Sequence, residues 1–234
     1  AITQPLQFML IKNSYKSILM ALGLSLVFWS CSMEAENQAP LQNEVKEPSL
    51  EEALAIWDEL DSEAGMPVNS RKRVDYNYFE VAKNEIGFIP GPGNTGGPAP
   101  AFYPGEGEGI ATRMGKMKSF INQFATFENG QLVTVGAPVV DVYAPKLALL
   151  GLTNISNVVN SVTVDNKRNA IYFKNLKNTV TPVSPTLSSF VAEIQIIGGN
   201  GRFKNASGEG VVRGNFNPMT GQGRSVTLAE LSLK

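Results

Sequence analysis

The stretch from Val191 to Gly214 constrains the fold most, because it contains the patterns of two strands and of the glycine-rich turn that joins them. In residues 191–196, Ala192, Ile194 and Ile196 take every second position. A period of two puts one apolar row on one face of a sheet. The pattern therefore predicts a strand, and the whole stretch predicts strand, turn, strand.

Glycine dominates the turn in this stretch. Gly198, Gly199 and Gly201 permit positive φ angles that a side chain would forbid, so the chain can reverse sharply. Phe203 is then expected to lie under the turn as an apolar plug, with the return strand starting near Ser207. A phosphate-binding loop is the alternative, but the spacing and Lys-Ser/Thr ending of a Walker loop are missing. The sequence favours a structural turn.

The chain from Gly105 to Lys234 consists of short strand patterns and turn signals, with eight strand candidates and no convincing helix. Val139–Tyr143 is β-branched and suggests a strand, while Thr179–Thr186 carries two prolines and suggests a loop. Antiparallel strands with short turns favour a closed barrel, because closure removes exposed edges. The predicted fold is all-β: an eight-stranded antiparallel β-barrel wide enough for one small ligand.

Two motifs in this region resemble the allene oxide cyclase and dirigent type of barrel. They are Gly-Gly-Asn-Gly-Arg-Phe at 198–203, followed by Ala-Ser-Gly-Glu-Gly, and Gly-Glu-Gly-Ile-Ala-Thr-Arg-Met-Gly at 107–115. Asn200 stands where that family usually has Thr, and Asn also tolerates the left-handed region. The resemblance implies an eight-stranded barrel with a ligand cavity. It supplies no motif that assigns a catalytic residue here.

The first thirty residues have the pattern of a signal peptide. Met9 is the expected start, with residues 1–8 lying upstream of it. Lys12 and Lys16 precede an apolar run that ends at Trp29. A transmembrane helix is the alternative, but twelve residues are fewer than the roughly 20 that span a bilayer.

Cys31 follows this run in a Phe-Trp-Ser-Cys sequence that resembles a bacterial lipobox with bulky first positions. The alternative is a chance cysteine at a signal-peptidase boundary. Exported chains rarely keep a lone thiol, so the sequence favours lipidation of Cys31. Ser32 is not Asp, the residue that typically retains Gram-negative lipoproteins in the inner membrane. The resemblance to lipoproteins therefore implies the outer membrane, at its periplasmic or surface face.

Residues 31–104 are expected to connect this anchor to a barrel domain at 105–234. The first part is polar and acidic, as in a disordered tether. Ser49 and Glu52 have the spacing of a capping box, which predicts a helix near 49–64. Trp57 in this helix could anchor a partner, but packing onto the barrel is favoured. The Gly- and Pro-rich stretch from Ile89 to Pro104 is the expected domain boundary.

Composition excludes several function classes. The chain has no histidine, which removes the usual general base, the Ser-His-Asp triad and every His-containing zinc motif. Oxygen ligands would have to hold any metal, and no EF-hand loop is present. The formal net charge of −1 gives no basic stripe for nucleic acid. No cofactor, metal or nucleic acid is predicted.

Two functions from different classes remain. The first is a lipid-anchored binding or structural module, and the second is an isomerase or cyclase that steers a small hydrophobic substrate inside the barrel. A deep pocket with buried charged residues would favour the enzyme, and a filled barrel the structural module. The polar candidates for the lumen are Arg113, Tyr172, Glu193 and Arg213, although Glu193 could equally belong to the outward row.

Overall fold

The computed structural model of the protein describes residues 47–65 and 76–234. The signal peptide, Met9, Cys31 and the tether up to residue 46 lie outside the described residues. The elements in the described ranges are α1 Leu50–Glu63, β1 Tyr78–Ile86, β2 Ile89–Pro90, β3 Ala101–Phe102, β4 Gly105–Ala111, β5 Gly115–Ile121, β6 Gln123–Glu128, β7 Gln131–Gly136, α2 Val140–Leu149, β8 Ser161–Asp165, β9 Ala170–Ser184, β10 Leu187–Asn200, a 3-10 turn Gly201–Phe203, β11 Ala206–Phe216 and β12 Gln222–Leu233. None of the described helices is long and apolar enough to cross a bilayer.

Eight antiparallel strands close into a barrel in chain order. β1 pairs with β4, and the order continues through β5, β8, β9, β10, β11 and β12. β12 returns to β1, with Tyr78 opposite Ala229 and Glu85 opposite Gln222. The predicted eight-stranded antiparallel barrel is confirmed, and it is an up-and-down meander.

Four short strands lengthen the wall at one end of the barrel. β2 pairs with β3, β3 with β6 and β6 with β7. In the chain, β2 follows β1, β3 precedes β4 and β6 follows β5, so the short strands pair in the same order as these barrel strands. β7 then joins β9 through Val133 and Thr179. Together β7 and β8 occupy one position in the wall, which residues 137–160 interrupt. This longer end is called the mouth below.

Two asparagines bridge the interruption between β7 and β8. The Asn122 N–H donates to the Asn160 carbonyl at 2.9 Å, and the Ala137 N–H donates to the Asn122 carbonyl at 3.0 Å. The Asn160 side-chain Oδ1 accepts the Asn175 N–H at 3.1 Å. Buried backbone groups that lose a strand partner are thereby paired, as low-dielectric interiors require.

The excursion between β7 and β8 contains α2, so the predicted strand at Val139–Tyr143 is wrong. Val139, Tyr143 and Leu147 are buried at a spacing of four, which is the period of one helix face. They pack with Phe120 and Val162 on the outer side of the barrel. Tertiary packing here overrides the β propensity of the branched side chains.

The first helix is confirmed and also lies outside the barrel. Ser49 Oγ accepts the Glu52 N–H at 3.1 Å, and the Ser49 N–H donates to Glu52 Oε2 at 2.9 Å, which completes the capping box. Trp57 and Leu60 are buried against Leu228 and neighbouring outward residues of β1 and β12. Trp57 therefore serves helix packing.

The closed end of the barrel is filled by its own side chains. Phe203 lies fully buried inside, below the turn between β10 and β11. The cluster around it also contains Tyr78, Ala82, Ala111, Met114, Met117, Ile171, Phe173, Ile194, Ile196, Ala206, Ala229 and Leu231. Apolar side chains therefore fill this half of the barrel.

Two boundaries differ from those expected. β1 belongs to the barrel, so the barrel begins before the Gly- and Pro-rich stretch, whose residues 91–100 form a loop between β2 and β3. β9 continues to Ser184 through the predicted loop at Thr179–Thr186. The pairing of β9 with β7 ends at Thr179, so at Pro182 the strand pairs with β10 and no longer with β7. A proline is tolerated at such an edge position.

Candidate ligand-binding site

A cavity of about 100 Å³ occupies the barrel lumen between the filled end and the mouth. Its walls are the inward rows of the barrel strands, in which alternate residues face the lumen. The apolar lining includes Phe173, Phe190, Ile194 and Phe216. The polar lining falls into two groups on different strands, one around Glu80 and one around Gln123.

Glu80 is a buried carboxyl group, 6% exposed, that lines this cavity. Its Oε2 accepts hydrogen bonds from the Tyr78 hydroxyl and the Thr163 hydroxyl, each at 2.8 Å. Burial raises the pKa of Glu80, although the two hydroxyl donors act in the opposite direction. Burial and the charge of Glu80 likewise raise the pKa of Tyr78 well above its usual value.

Glu80 lies across the lumen from β8, and a glycine of β4 leaves room for other polar side chains between them. Glu80 on β1 reaches Thr163 on β8, three strands further round the wall, past the inward face of β4 and β5. Gly107 faces the lumen on β4, and a Cβ there would collide with the side chains of Asn84 and Ser119. A bare backbone at this position lets polar side chains from both neighbours enter the lumen.

The second polar group is an amide cluster. Gln123 Oε1 accepts the Thr134 hydroxyl at 2.7 Å and the Asn178 Nδ2–H at 2.9 Å. Asn178 is 5% exposed, and its Oδ1 has no hydrogen-bond partner among the described residues. A buried unpartnered carbonyl costs free energy, so this oxygen favours a donor from a bound molecule.

Five side chains at the mouth line both the cavity and a depression outside it: Ile86, Tyr103, Leu132, Val180 and Phe216. The Tyr103 hydroxyl donates to the Pro98 carbonyl at 2.7 Å, and its ring meets Phe88 edge-on at 5.5 Å. The loop at 91–100 thus fixes one wall of the entrance. Partial burial raises the pKa of Tyr103.

The four polar side chains expected in the lumen lie elsewhere. Arg113 is exposed in the β4–β5 turn at φ 64°, and Glu193 is exposed on the outer face. Tyr172 packs on the outside with the cluster around α2. Arg213 is buried on the outside, paired with Asp61 of α1. On β10 and β11 the residues that line the cavity are apolar, among them Ala192, Ile194 and Val212.

The predicted turn residues have the following geometry. Gly198 has φ 142° and Gly201 has φ 59°, both in the region that glycine favours. Gly199 has no positive φ, but a Cβ there would collide with the carbonyls of Ala170 and Phe203. Both glycine properties, conformational freedom and small size, are used within four residues.

Sequence reasoning missed Glu80 because β1 lies before the expected domain boundary, and it missed Asn178 because the strand predicted at Ala170–Lys174 ends before it. A signal for β1 was present: Tyr78, Glu80 and Ala82 alternate with Phe79 and Val81 over a strand-length run. Since both rows are partly apolar, the alternation does not identify the inward one. Asn178 carries no comparable signal.

In comparisons with protein-family models, with curated proteins and with solved structures, nothing matches this chain. The described residues also contain no group of three or more His, Cys, Asp or Glu side chains placed to hold a metal ion.

Proposed function

We propose that this protein is a lipid-anchored cell-envelope β-barrel that binds a small ligand with an apolar body and one polar end. The observation that carries the binding role is the cavity between the filled end and the mouth. The anchor is proposed from Cys31 and the run that precedes it. Membership of the allene oxide cyclase and dirigent type of barrel is part of the same proposal.

The size of the cavity limits the ligand. One water needs about 10–15 Å³ on this scale, so a cavity of about 100 Å³ has room for about seven to ten waters. A ligand of about ten non-hydrogen atoms would fill it. A monocyclic aromatic compound with a two-carbon side chain has this size.

The lining supports binding over catalysis. Pockets for small ligands combine mostly apolar walls with a few placed polar groups, as this lumen does. The isomerase or cyclase alternative has one observation in its favour, the buried carboxyl group of Glu80 with its raised pKa. The other lining carboxylate, Glu106, forms an ion pair with Lys146 on the surface, so it makes a poor second acid or base.

A blocked lumen tests the binding role. Ala192 is buried and lines the cavity, whereas Glu193 beside it is exposed on the outer face. We expect 2-phenylethanol and indole to bind the wild type in isothermal titration calorimetry, and Ala192→Phe to abolish the signal. Glu193→Phe adds the same ring to the outside and should leave binding unchanged. Equal binding by Ala192→Phe and the wild type would place the ligand outside the lumen.

A further inference from the structure

The lumen holds an acidic group that no protein cation balances. Among the residues that line the cavity are two acidic ones, Glu80 and Glu106, and no Lys or Arg. We propose that the ligand carries a protonated amine, which binds between Glu80 and Asn178. This rests on the proposed function, since it names the chemical class of the ligand in the same lumen.

Glu80 provides the first acceptor. Both of its hydrogen bonds reach one oxygen, Oε2, and both come from neutral hydroxyl groups. No ion pair among the described residues includes Glu80. A buried carboxylate without a countercharge is costly, and Oε1 is left to accept from a bound molecule. An ammonium group supplies both the charge and the donor.

Asn178 provides the second acceptor. Its Nδ2 donates to Gln123 Oε1, which also accepts the Thr134 hydroxyl. Thr134 and Asn178 both donate to that oxygen, so the Asn178 amide lies with Nδ2 toward Gln123 and Oδ1 away from it. Asn178 Oδ1 is thereby left without a partner in the described part of the chain. A neutral acceptor ligand would leave it unpaired, whereas an ammonium has three donors.

The remaining walls suit an aromatic or aliphatic amine. Phe173, Phe190 and Phe216 line the cavity, and aromatic faces attract cations as well as apolar groups. The titratable groups near the proposed ammonium are Glu80, Tyr78 in contact with it, Glu106 in the same lining and Tyr103 at the mouth. All four are acids, so none repels a cation.

Three compounds of nearly equal size separate the possible ligand classes: 2-phenylethylamine, 2-phenylethanol and phenylacetate. The calorimetry is run at about pH 8, because alkylamines are protonated at this pH and a high pH favours the ionised form of the Glu80 carboxyl group. We expect the amine to bind the wild type at least about tenfold more tightly than the alcohol, as for a hydrogen bond between charged groups, and phenylacetate not to bind. This ranking of the three affinities is measured on the wild-type protein alone.

Glu80→Gln keeps the shape of the side chain and removes its charge. We expect it to weaken binding of the amine by at least about tenfold and that of the alcohol by less than about twofold. The matched control is Glu193→Gln, which removes an exposed charge from the outer face and should change neither value. A thermal melt of each variant shows whether it is folded.

The outcomes separate this inference from the function on which it rests. Equal affinity for amine and alcohol, or a preference for phenylacetate, would overturn the amine and leave the binding role intact. A selective loss of amine binding in Glu80→Gln supports it. If none of the three compounds binds the wild type, the binding role itself is overturned.

Discussion

At the closed end of the barrel, one ring fills the space that the turn encloses. Phe203 is fully buried beneath the Gly198–Gly201 turn. We expect Phe203→Ala to lower the free energy of unfolding by about 3–5 kcal/mol, through lost burial and the cavity that remains. Urea denaturation measures the loss. Lys204→Ala, at the exposed next position, should stay within about 0.5 kcal/mol of the wild type. A similarly small effect for Phe203→Ala would show that the ring contributes no packing.

Glu80 makes the stability of the protein depend on pH in an unusual direction. Burial raises its pKa above the ordinary value of 4.5, so the folded protein binds this proton more tightly than the unfolded chain. The stabilisation is complete below the unfolded pKa and is lost as the pH rises through the folded pKa. We expect the wild type to lose stability relative to Glu80→Gln as the pH rises from about 4.5.

Thermal melts of both proteins across a pH series measure this difference, which cancels the titration of groups the two share. Glu193→Gln repeats the charge removal at an exposed site and should show no such trend. A difference between wild type and Glu80→Gln that stays constant, or that grows in favour of the wild type as the pH rises, contradicts the raised pKa.

At the scale of elements, a buried ion pair joins α1 to the barrel beside the apolar packing of Trp57 and Leu60. Arg213 and Asp61 are 4% and 7% exposed, and the Arg213 guanidinium lies 5.0 Å from the centre of the Trp57 ring. Arg224 also binds α1, but its partners Glu59 and Glu63 are exposed. The two arginines thus offer the same chemistry at two depths of burial.

We expect Arg213→Ala to cost about 3–5 kcal/mol, because it leaves the Asp61 carboxylate buried and uncompensated. Arg224→Ala should cost at most about 1 kcal/mol, since water and salt screen exposed pairs. Urea unfolding of the two variants under identical conditions gives both values. Equal losses would mean that burial of the pair does not decide how α1 is held.

The sequence predicted the elements whose signals are local. The capping box placed α1, and the alternation at residues 191–196 placed β10. α2 was missed because its branched residues favour strands locally, and only packing against Phe120 and Val162 selects the helix. The lumen residues depend on which row faces inward, a property that barrel closure decides. Glu80 could be placed in a strand from sequence, but not in a cavity.

At the scale of the whole molecule, the barrel divides its interior along its axis. The closed end is packed around Phe203, and the mouth end holds the cavity behind Tyr103 and Phe216. Both described helices pack against the outside of the barrel wall. Such a division lets the closed end supply stability while the mouth end gives up packing to make room for a ligand. Binding of that ligand would then restore part of the lost stability.

The proposed anchor belongs to this same scale, because it decides where the barrel is displayed. Expressed as the full chain in a Gram-negative host, the protein should fractionate with the outer membrane. Its mature N-terminus should be a lipid-modified Cys31, as mass spectrometry can show. Cys31→Ser should release the protein from the membrane fraction. Ser32→Asp keeps the lipid and should shift the protein toward the inner membrane in a density gradient. An unmodified Cys31 in the soluble fraction would refute the anchor, while leaving the barrel and its cavity unaffected.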